Sequence, residues 1–126
     1  AAARGGQVPF TGAVWALHEP MQAYLKSLAL MPGITVKFST VPPDPAGFIP
    51  YARVEHAKYA VADETDAVIG TGNWEWSYFN NTVDASVLVH GTAPAATLNA
   101  IFERDWNGPY VTRLQPGATY TPPHNG

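Results

Sequence analysis

The sequence has no cysteine, which excludes disulfide bonds and thiol chemistry within its 126 residues and leaves the redox compartment open. It also has no run of eighteen apolar residues, so no membrane-spanning helix is predicted. The stretch 1–7 lacks the charged and then apolar pattern of a secretory signal. We therefore expect any targeting segment to lie upstream or to have been removed.

Charge of either sign is scarce, since charged residues make up 13% of the chain and the net charge is −3. The seven Lys and Arg are scattered singly, whereas a protein that grips a long stretch of phosphate backbone needs a clustered basic face. Nucleic acid would therefore have to be held at a pocket. His90 and His124 have no neighbours at ligand spacing, so we expect no metal site and no cofactor.

Hydrophobic residues are plentiful, at 46% of the chain, and they are interrupted by 12 Pro and 11 Gly. This composition predicts one globular domain with long irregular connections. We expect the domain to span 1–114 and to be followed by a Pro-, Gly- and Thr-rich tail over 115–126. The run from Val14 to Leu17 is typical of an internal strand, so the sequence is predicted to begin in the middle of a domain.

The spacing of apolar residues predicts both helices and strands. Apolar residues from Met21 to Ala29 recur at helical spacing and stop before Gly33, whereas other runs are short and alternating or continuously apolar, as strands are. The predicted elements are helices over 20–30 and 94–106 and strands over 34–38, 56–62, 67–70 and 83–90. We expect an α/β fold in which the last three strands are neighbours in one mixed sheet, with both helices packed on it.

Residues around the predicted strands 56–62 and 67–70 have side chains that could bind phosphate. His56 and Lys58 lie two apart on a strand and therefore share a face. Gly70 and Gly72 would let the following turn bring Asn73 over that face. A neighbouring ammonium keeps an imidazole neutral and nucleophilic, and Lys58 and Asn73 could stabilise charge on phosphate oxygens. Taken alone, a His-x-Lys pair is more often a solvated surface pair.

The whole string is more specific than the pair. His56, Lys58 and Asp63 form a His-x-Lys-x-x-x-x-Asp pattern that is followed by six residues and then Gly-Thr-Gly-Asn at 70–73. This resembles the His-Lys-Asp signature of the phospholipase D superfamily, with Thr71 in place of the usual Ser. Over roughly 10–113 the chain also resembles the second half of the lysosomal 5′-exonuclease branch of that superfamily, its members three and four, in stretches such as 49–54, 70–79 and 101–110.

The resemblance implies half of a phospholipase D-like phosphodiesterase, in which two such signatures meet at one site. One histidine attacks phosphorus to form a phosphohistidine and the other protonates the leaving oxygen, and His56 takes one of these roles. Lys58 and Asn73 would bind phosphate, and Asp63 is expected to be a structural acid rather than a catalyst. The residues expected to border the substrate are Thr71, Gly72, Trp74 and, at the pocket edge, His18.

Two further residues are candidates for the site or its surroundings. Asp84 follows Asn73 by eleven residues, where single-signature bacterial nucleases of the superfamily have a Glu that orients the imidazole. We expect Asp84 to hydrogen-bond His56 unless it faces solvent at the start of its strand. Asn80 begins an Asn-Asn-Thr glycosylation sequon, whose use would demand a secretory route. The aromatic cluster over 74–79 stacks a base, lines an acyl groove or, as dense aromatics more often do, forms core.

Only one signature is present, so the chain is predicted to be inactive alone and to need a second half, as a separate chain or a second copy. The resemblance implies single-stranded nucleic acid as the substrate, in an endolysosomal lumen or outside the cell, and one phosphate pocket with neighbouring aromatics suits such an end-gripping exonuclease. Two alternatives stay open. One is hydrolysis of phospholipid headgroups, which would need a docking surface for a bilayer, and the other is a silent structural module that keeps the fold.

Overall fold

The computed structural model describes residues 7–9, 21–42, 44–47, 49, 52–53 and 55–121. Its elements in chain order are β1 (Gln7–Pro9), α1 (Met21–Ala29), β2 (Thr35–Ser39), β3 (Lys58–Ala62), β4 (Asp66–Gly70), α2 (Trp76–Asn81), β5 (Ser86–His90), α3 (Thr92–Trp106) and β6 (Val111–Arg113). Contacts divide the chain into two compact units, Ala1–Glu55 with Trp106–Gly126, and His56–Asp105. Within the described ranges, no helix is long and apolar enough to cross a membrane.

The first unit contains a three-stranded sheet in the order β1-β2-β6, with β1 parallel and β6 antiparallel to β2. Its core forms where α1 packs against β2, and Leu25, Val36 and Leu114 are almost completely buried there. Burial of an aliphatic side chain of this size contributes about 1.5–3 kcal/mol. The helix predicted over 20–30 and the strand predicted over 34–38 are confirmed by α1 and β2.

The partner of α1 differs from the prediction. The sequence predicts this helix on the sheet that contains the 56–62 strand, but α1 packs on β2, which belongs to the other sheet. The reason is that Leu25, on the apolar stripe of the helix, meets Val36 on the strand that follows next in the chain. Short connections favour such packing between successive elements.

The segment predicted as a tail packs in this unit as far as it is described. The ring of Tyr120 lies 5.2 Å from the ring of Phe38 in an edge-to-face arrangement. The backbone carbonyl of Tyr120 accepts a hydrogen bond of 2.8 Å from Nε2 of Gln22, which is a buried residue of α1. Buried amide groups need such partners, so Tyr120 contributes to the core around α1 and β2.

The second unit contains an antiparallel sheet in the order β3-β4-β5. Thr65 N donates to the carbonyl oxygen of Ala62 at 3.1 Å and closes the turn between β3 and β4. The central residues of this turn, Asp63 and Glu64, both have left-handed backbone, with φ of 51° and 59°, which suits the right-handed twist of a hairpin. The predicted α/β class and the adjacency of these three strands are confirmed.

The helices of the second unit differ in how well the sequence predicts them. Helix α3 begins at Thr92, two residues before the predicted start, and ends at the predicted residue, Trp106. Helix α2 is not predicted at all. It has only six residues, none of them buried, which is too short a segment for a periodicity argument to detect.

Candidate active site

Strand register brings several signature residues to one end of the β3-β4-β5 sheet. Lys58, the first residue of β3, pairs with Gly70, the last residue of β4, and Gly70 pairs in turn with Ser86, the first residue of β5. We call this the site end. Since neighbouring antiparallel strands begin and finish together, the segments 56–57, 71–73 and 84–85 all emerge from the site end.

His56 and Lys58 supply the nucleophile candidate and the cation of the site end. His56 is exposed, so its ring is open to an incoming phosphate group. Lys58 is half-buried, and its Nζ donates to the backbone carbonyl of His56 at 2.8 Å. Partial burial lowers the pKa of Lys58 below its usual value, because withdrawal from water penalises the charged form. The hydrogen bond holds the ammonium group of Lys58 against the backbone of His56, the histidine that it would assist.

Thr71 anchors the loop that carries Asn73. Its backbone N donates to the carbonyl oxygen of Ala85 at 3.1 Å, and its Oγ1 accepts from the backbone N of Ala85 at 3.1 Å. A Cβ on Gly70 would lie 2.7 Å from Oγ of Ser86, so the approach of β4 to β5 leaves little room for a side chain at Gly70. Asn73 is half-buried and follows this anchor by two residues. The structure thus places His56, Lys58 and Asn73 at the same sheet end.

Asp84 has partners other than the predicted one. Its Oδ1 accepts a hydrogen bond of 3.0 Å from the hydroxyl of Thr71, and its Oδ2 accepts one from the hydroxyl of Thr82. The described hydrogen bonds do not include one between Asp84 and His56. The physical reason is that Asp84 is exposed and precedes β5 instead of interrupting it, so no buried charge has to be neutralised by an imidazole.

Thr82 is the partner that sequence reasoning missed. It follows the last residue of α2, and its single hydroxyl proton is shared between Oδ2 of Asp84 and the carbonyl oxygen of Tyr78, which lies 2.8 Å from Oγ1. The signal that could have found it is local, because a threonine at the end of a helix can hydrogen-bond the carbonyl oxygen four residues before it.

Asp63 lies at the opposite end of the sheet from the other signature residues. It occupies the turn after β3, so the length of that strand, about 16 Å for five residues, separates it from Lys58. Asp tolerates left-handed backbone better than most residues do. The structure therefore places Asp63 in the turn and does not bring it to His56 and Lys58.

This second end of the sheet, at Ala62, Asp66 and His90, is called the far end. His90 Nδ1 lies 2.7 Å from Oδ1 of Asp66, and the Thr65 hydroxyl donates to Oδ2 at 3.0 Å. These contacts, the His90 hydrogen bond first, lower the pKa of Asp66. A cavity of about 400 Å³ lies between the turn and α3 and is lined by Asp63, Glu64, Thr65, Thr92, Ala96, Asn99 and Ala100.

The aromatic cluster lies largely on the surface and not in a core. Trp74, Trp76 and Phe79 are all more than 60% exposed, whereas Tyr78 is half-buried. Their exposure fits the alternative in which these rings contact a ligand or another protein surface. Asn80, the sequon asparagine, is also exposed, and its Nδ2 donates to the carbonyl oxygen of Trp76 at 2.7 Å.

Two histidines that the sequence analysis considered are not among the described residues. His18 and His124 lie outside the described residues. In the part of the chain that the structure does describe, no group of three or more His, Cys, Asp or Glu side chains is arranged to hold a metal ion. The described side chains at the site end include one imidazole, one ammonium, one carboxamide, the carboxylate of Asp84 and the hydroxyl of Thr71.

Comparisons with known proteins place this arrangement in context. Residues 4–106 match the family model described as cardiolipin synthase, PLD-like domain. The chain is 42% identical over 127 residues to the rat 5′-3′ exonuclease PLD3, an alignment that covers 91% of this chain and 26% of the relative. It is 44% identical over 102 residues to the virion nicking-joining enzyme of vaccinia virus, covering 75% of this chain and 23% of the relative.

A third similar protein is phospholipase D Z of Dictyostelium discoideum. It is 40% identical over 88 residues, which is 69% of this chain and 21% of the relative. The chain thus spans about a quarter of the length of the curated relatives that it matches.

Proposed function

This chain belongs to the phospholipase D-like domain family, and we propose that it supplies one half of a phosphodiesterase active site that cleaves single-stranded nucleic acid from its 5′ end. The observation that carries the proposal is the exposed His56 next to Lys58, at the same sheet end as the loop of Asn73. A histidine that attacks phosphorus must be open to substrate, and cationic and amide donors must lie where charge develops.

In the proposed reaction, an imidazole nitrogen attacks phosphorus while the leaving oxygen takes a proton from a second histidine, which the other signature supplies. The covalent phosphohistidine is then hydrolysed by water, and the second histidine accepts the proton from that water. His56 takes one of these two roles. Lys58 and Asn73 hold the phosphate oxygens, and Thr71 and Gly72 form the loop backbone beside them. No step requires a metal or another cofactor.

The second signature would come from another part of the same protein, from a separate chain or from a second copy of this chain. Strand β5 offers a surface for such a partner, because it is at an edge of its sheet among the described strands and four of its five residues are exposed. Val87 and Leu88 point to opposite faces and are 61% and 76% exposed. Apolar residues on both faces of an edge strand are typically covered in the functional assembly.

Nucleic acid is the favoured substrate for two reasons. Two of the similar proteins have names that describe action on nucleic acid, an exonuclease and a nicking-joining enzyme. The exposed rings of Trp74 and Trp76 lie one and three positions after Asn73 and could stack bases of a strand whose end phosphate is bound. Because its Lys and Arg are scattered, the chain is better suited to binding the end of a single strand than to binding a duplex.

Phospholipid is the second candidate, and its support is the likeness to a protein named phospholipase D Z. Exposed Trp76 and Phe79 on α2 would then face a bilayer interface. A silent structural module is the third candidate. For an active enzyme we propose the endolysosomal lumen or the cell exterior, with a glycan on the exposed Asn80, because the sequon has meaning only on a secretory route.

The test uses the full-length protein that contains this chain. It is incubated at mildly acidic pH and without added metal, in parallel with a 5′-labelled single-stranded oligonucleotide and with phosphatidylcholine vesicles. The variant His56→Ala is compared with His90→Ala, which removes an exposed histidine at the far end of the same sheet.

Release of label that is lost in His56→Ala and kept in His90→Ala would support the exonuclease. Release of headgroup alone, with the same dependence on His56, would favour the phospholipase. Absence of both activities from the assembled protein would contradict the phosphodiesterase and favour the structural module.

A further inference from the structure

The segment 71–84 leaves the sheet after β4 and returns at β5, and it carries both Asn73 and helix α2. Its base is closed by the paired hydrogen bonds between Thr71 and Ala85 that are described above. Whatever fixes this base also fixes the position of Asn73, which follows Thr71 by only two residues.

Asp84 closes the same base a second time through its side chain. Its Oδ1 accepts from the hydroxyl of Thr71 at 3.0 Å, and its Oδ2 accepts from the hydroxyl of Thr82. Thr82 in turn is bound to the last turn of α2 through the carbonyl oxygen of Tyr78 at 2.8 Å. One carboxylate therefore ties the first residue of the loop to the end of the helix that follows it. We call Thr71, Thr82 and Asp84 the carboxylate clasp.

Gly72 shows how closely the carboxylate lies against the loop. A Cβ built on Gly72 would be 2.8 Å from Cγ of Asp84 and 3.0 Å and 3.1 Å from its two carboxylate oxygens. Contacts under 3 Å cannot be accommodated without movement of the carboxylate. The backbone immediately before Asn73 is therefore in contact with Asp84, and only a residue without a side chain fits between them as they stand.

We propose that Asp84 is a positioning residue, which holds Asn73 in place through Thr71 and Thr82 and does not orient the ring of His56. The inference rests on the proposed function for its effect on turnover, but the clasp itself is a property of the chain. Its effect on turnover is expected because a donor has to be held within a fraction of an ångström of the developing charge. A loop with two independent closures at its base is held better than a loop with one.

Two substitutions separate this role from that of an imidazole-orienting acid. Asp84→Asn keeps the shape of the clasp, since the amide oxygen accepts from Thr71 and the amide nitrogen donates to Oγ1 of Thr82, which leaves the hydroxyl proton of Thr82 for the Tyr78 carbonyl alone. Asp84→Ala removes both contacts. An acid that orients an imidazole and stabilises its cation needs its negative charge, so the Asn variant would be severely impaired in that role.

The first readout is amide hydrogen exchange at Thr71 and Ala85, which requires no activity. We expect exchange to be about tenfold faster in Asp84→Ala, the size of effect that the loss of an ordinary hydrogen bond produces. Asp84→Asn should stay close to the unsubstituted protein. The matched control is Asp66→Ala, which removes a carboxylate held by a threonine hydroxyl at the far end and should leave both amides unchanged.

The second readout is phosphodiesterase kinetics in the full-length protein. We expect kcat/KM to fall by about 10- to 100-fold in Asp84→Ala, with an unaltered pH profile, and to be largely restored in Asp84→Asn. An Asn variant as impaired as the Ala variant, or exchange that is unchanged in Asp84→Ala, would overturn the proposal. If the protein proves to have no phosphodiesterase activity, the exchange measurement still decides whether the clasp exists.

Discussion

The two ends of the β3-β4-β5 sheet each hold a carboxylate against a threonine hydroxyl, but their histidines behave differently. At the far end, Asp66 accepts from Thr65 at 3.0 Å and lies 2.7 Å from the ring of His90. At the site end, Asp84 accepts from Thr71 at 3.0 Å and meets a second threonine instead of a histidine. The histidine–carboxylate pair therefore occurs away from the signature histidine.

The difference teaches that a histidine beside an aspartate does not by itself mark the active site. The far-end pair follows from register, since Asp66 and His90 lie directly opposite on neighbouring strands. Both histidines are exposed, but at the site end the Nζ of Lys58 is held against the backbone of His56. The nearby cation distinguishes that end, and it suits attack on a phosphate group.

The largest expected effects are losses of activity from substitutions at the site end, which substitutions at the far end should not cause. His56→Ala in the full-length protein should reduce phosphodiester cleavage by at least about 10³-fold, because the nucleophile or general acid is lost. Lys58→Ala should raise the barrier by about 3–4 kcal/mol, as the loss of one oxyanion donor does. The measurement is kcat/KM on a labelled oligonucleotide, with Asp66→Ala as the far-end control. A similar loss in the control would break the comparison.

The next effect concerns the contact between Gly72 and Asp84. Gly72→Ala should displace the exposed Asp84 carboxylate and lower kcat/KM by about 10- to 100-fold, with little change in melting temperature. Since Gly72→Ala and Asp84→Ala act on one contact, the double variant should lose no more kcat/KM than Asp84→Ala alone. The check is a double-mutant cycle, and full additivity of the two losses would show that Gly72 acts independently of the carboxylate.

The sequence predicts β2 to β5 because the information is local, whereas the three-residue strands β1 and β6 are not predicted. The β3-β4 hairpin follows from two apolar runs around a polar turn, and the bounds of α1 follow from its apolar stripe. The sheet on which α1 packs was predicted wrongly, because periodicity identifies a buried face but does not identify what covers it. Helix α2 was missed because its six residues are too few to show a helical period.

The candidate site was predicted only in part. His56, Lys58 and the 70–73 loop could be assigned to one sheet end because their spacing and a tight hairpin require it. The hydrogen-bond partners of Asp84 could not be predicted, since Thr71 is 13 positions away and the contact depends on the path of the intervening loop. The signature pattern also groups Asp63 with His56, although strand geometry separates them.

A smaller effect is expected at the turn that contains Asp63. The residue has φ of 51°, so Asp63→Ala should destabilise the fold by about 1 kcal/mol, whereas Asp63→Gly should be neutral or stabilising. For a chain of this size the Ala variant should melt about 3–5 °C lower. Activity should fall far less than in Lys58→Ala. A loss of turnover comparable to that of Lys58→Ala, without a change in melting temperature, would instead give Asp63 a part in the chemistry.

The smallest effect is the pH dependence that Asp66 confers on stability. The hydrogen bond with His90, and then that with Thr65, lower the pKa of the folded-state carboxyl below its ordinary value of 3.8. A carboxyl whose pKa is lower in the folded than in the unfolded state stabilises the fold above the unfolded value. That contribution is lost as the pH falls through the folded-state pKa.

The test compares the melting temperatures of Asp66→Asn and the unsubstituted protein between pH 2 and pH 6. We expect the variant to be slightly less stable at pH 5–6, and the two curves to approach each other as the pH falls below about 4. Both groups are exposed, so added salt should shrink the difference. Asp84→Asn is the comparison at the site end. A difference for Asp66→Asn that stays constant down to pH 2 would mean that the far-end carboxylate acts through shape and not through its charge.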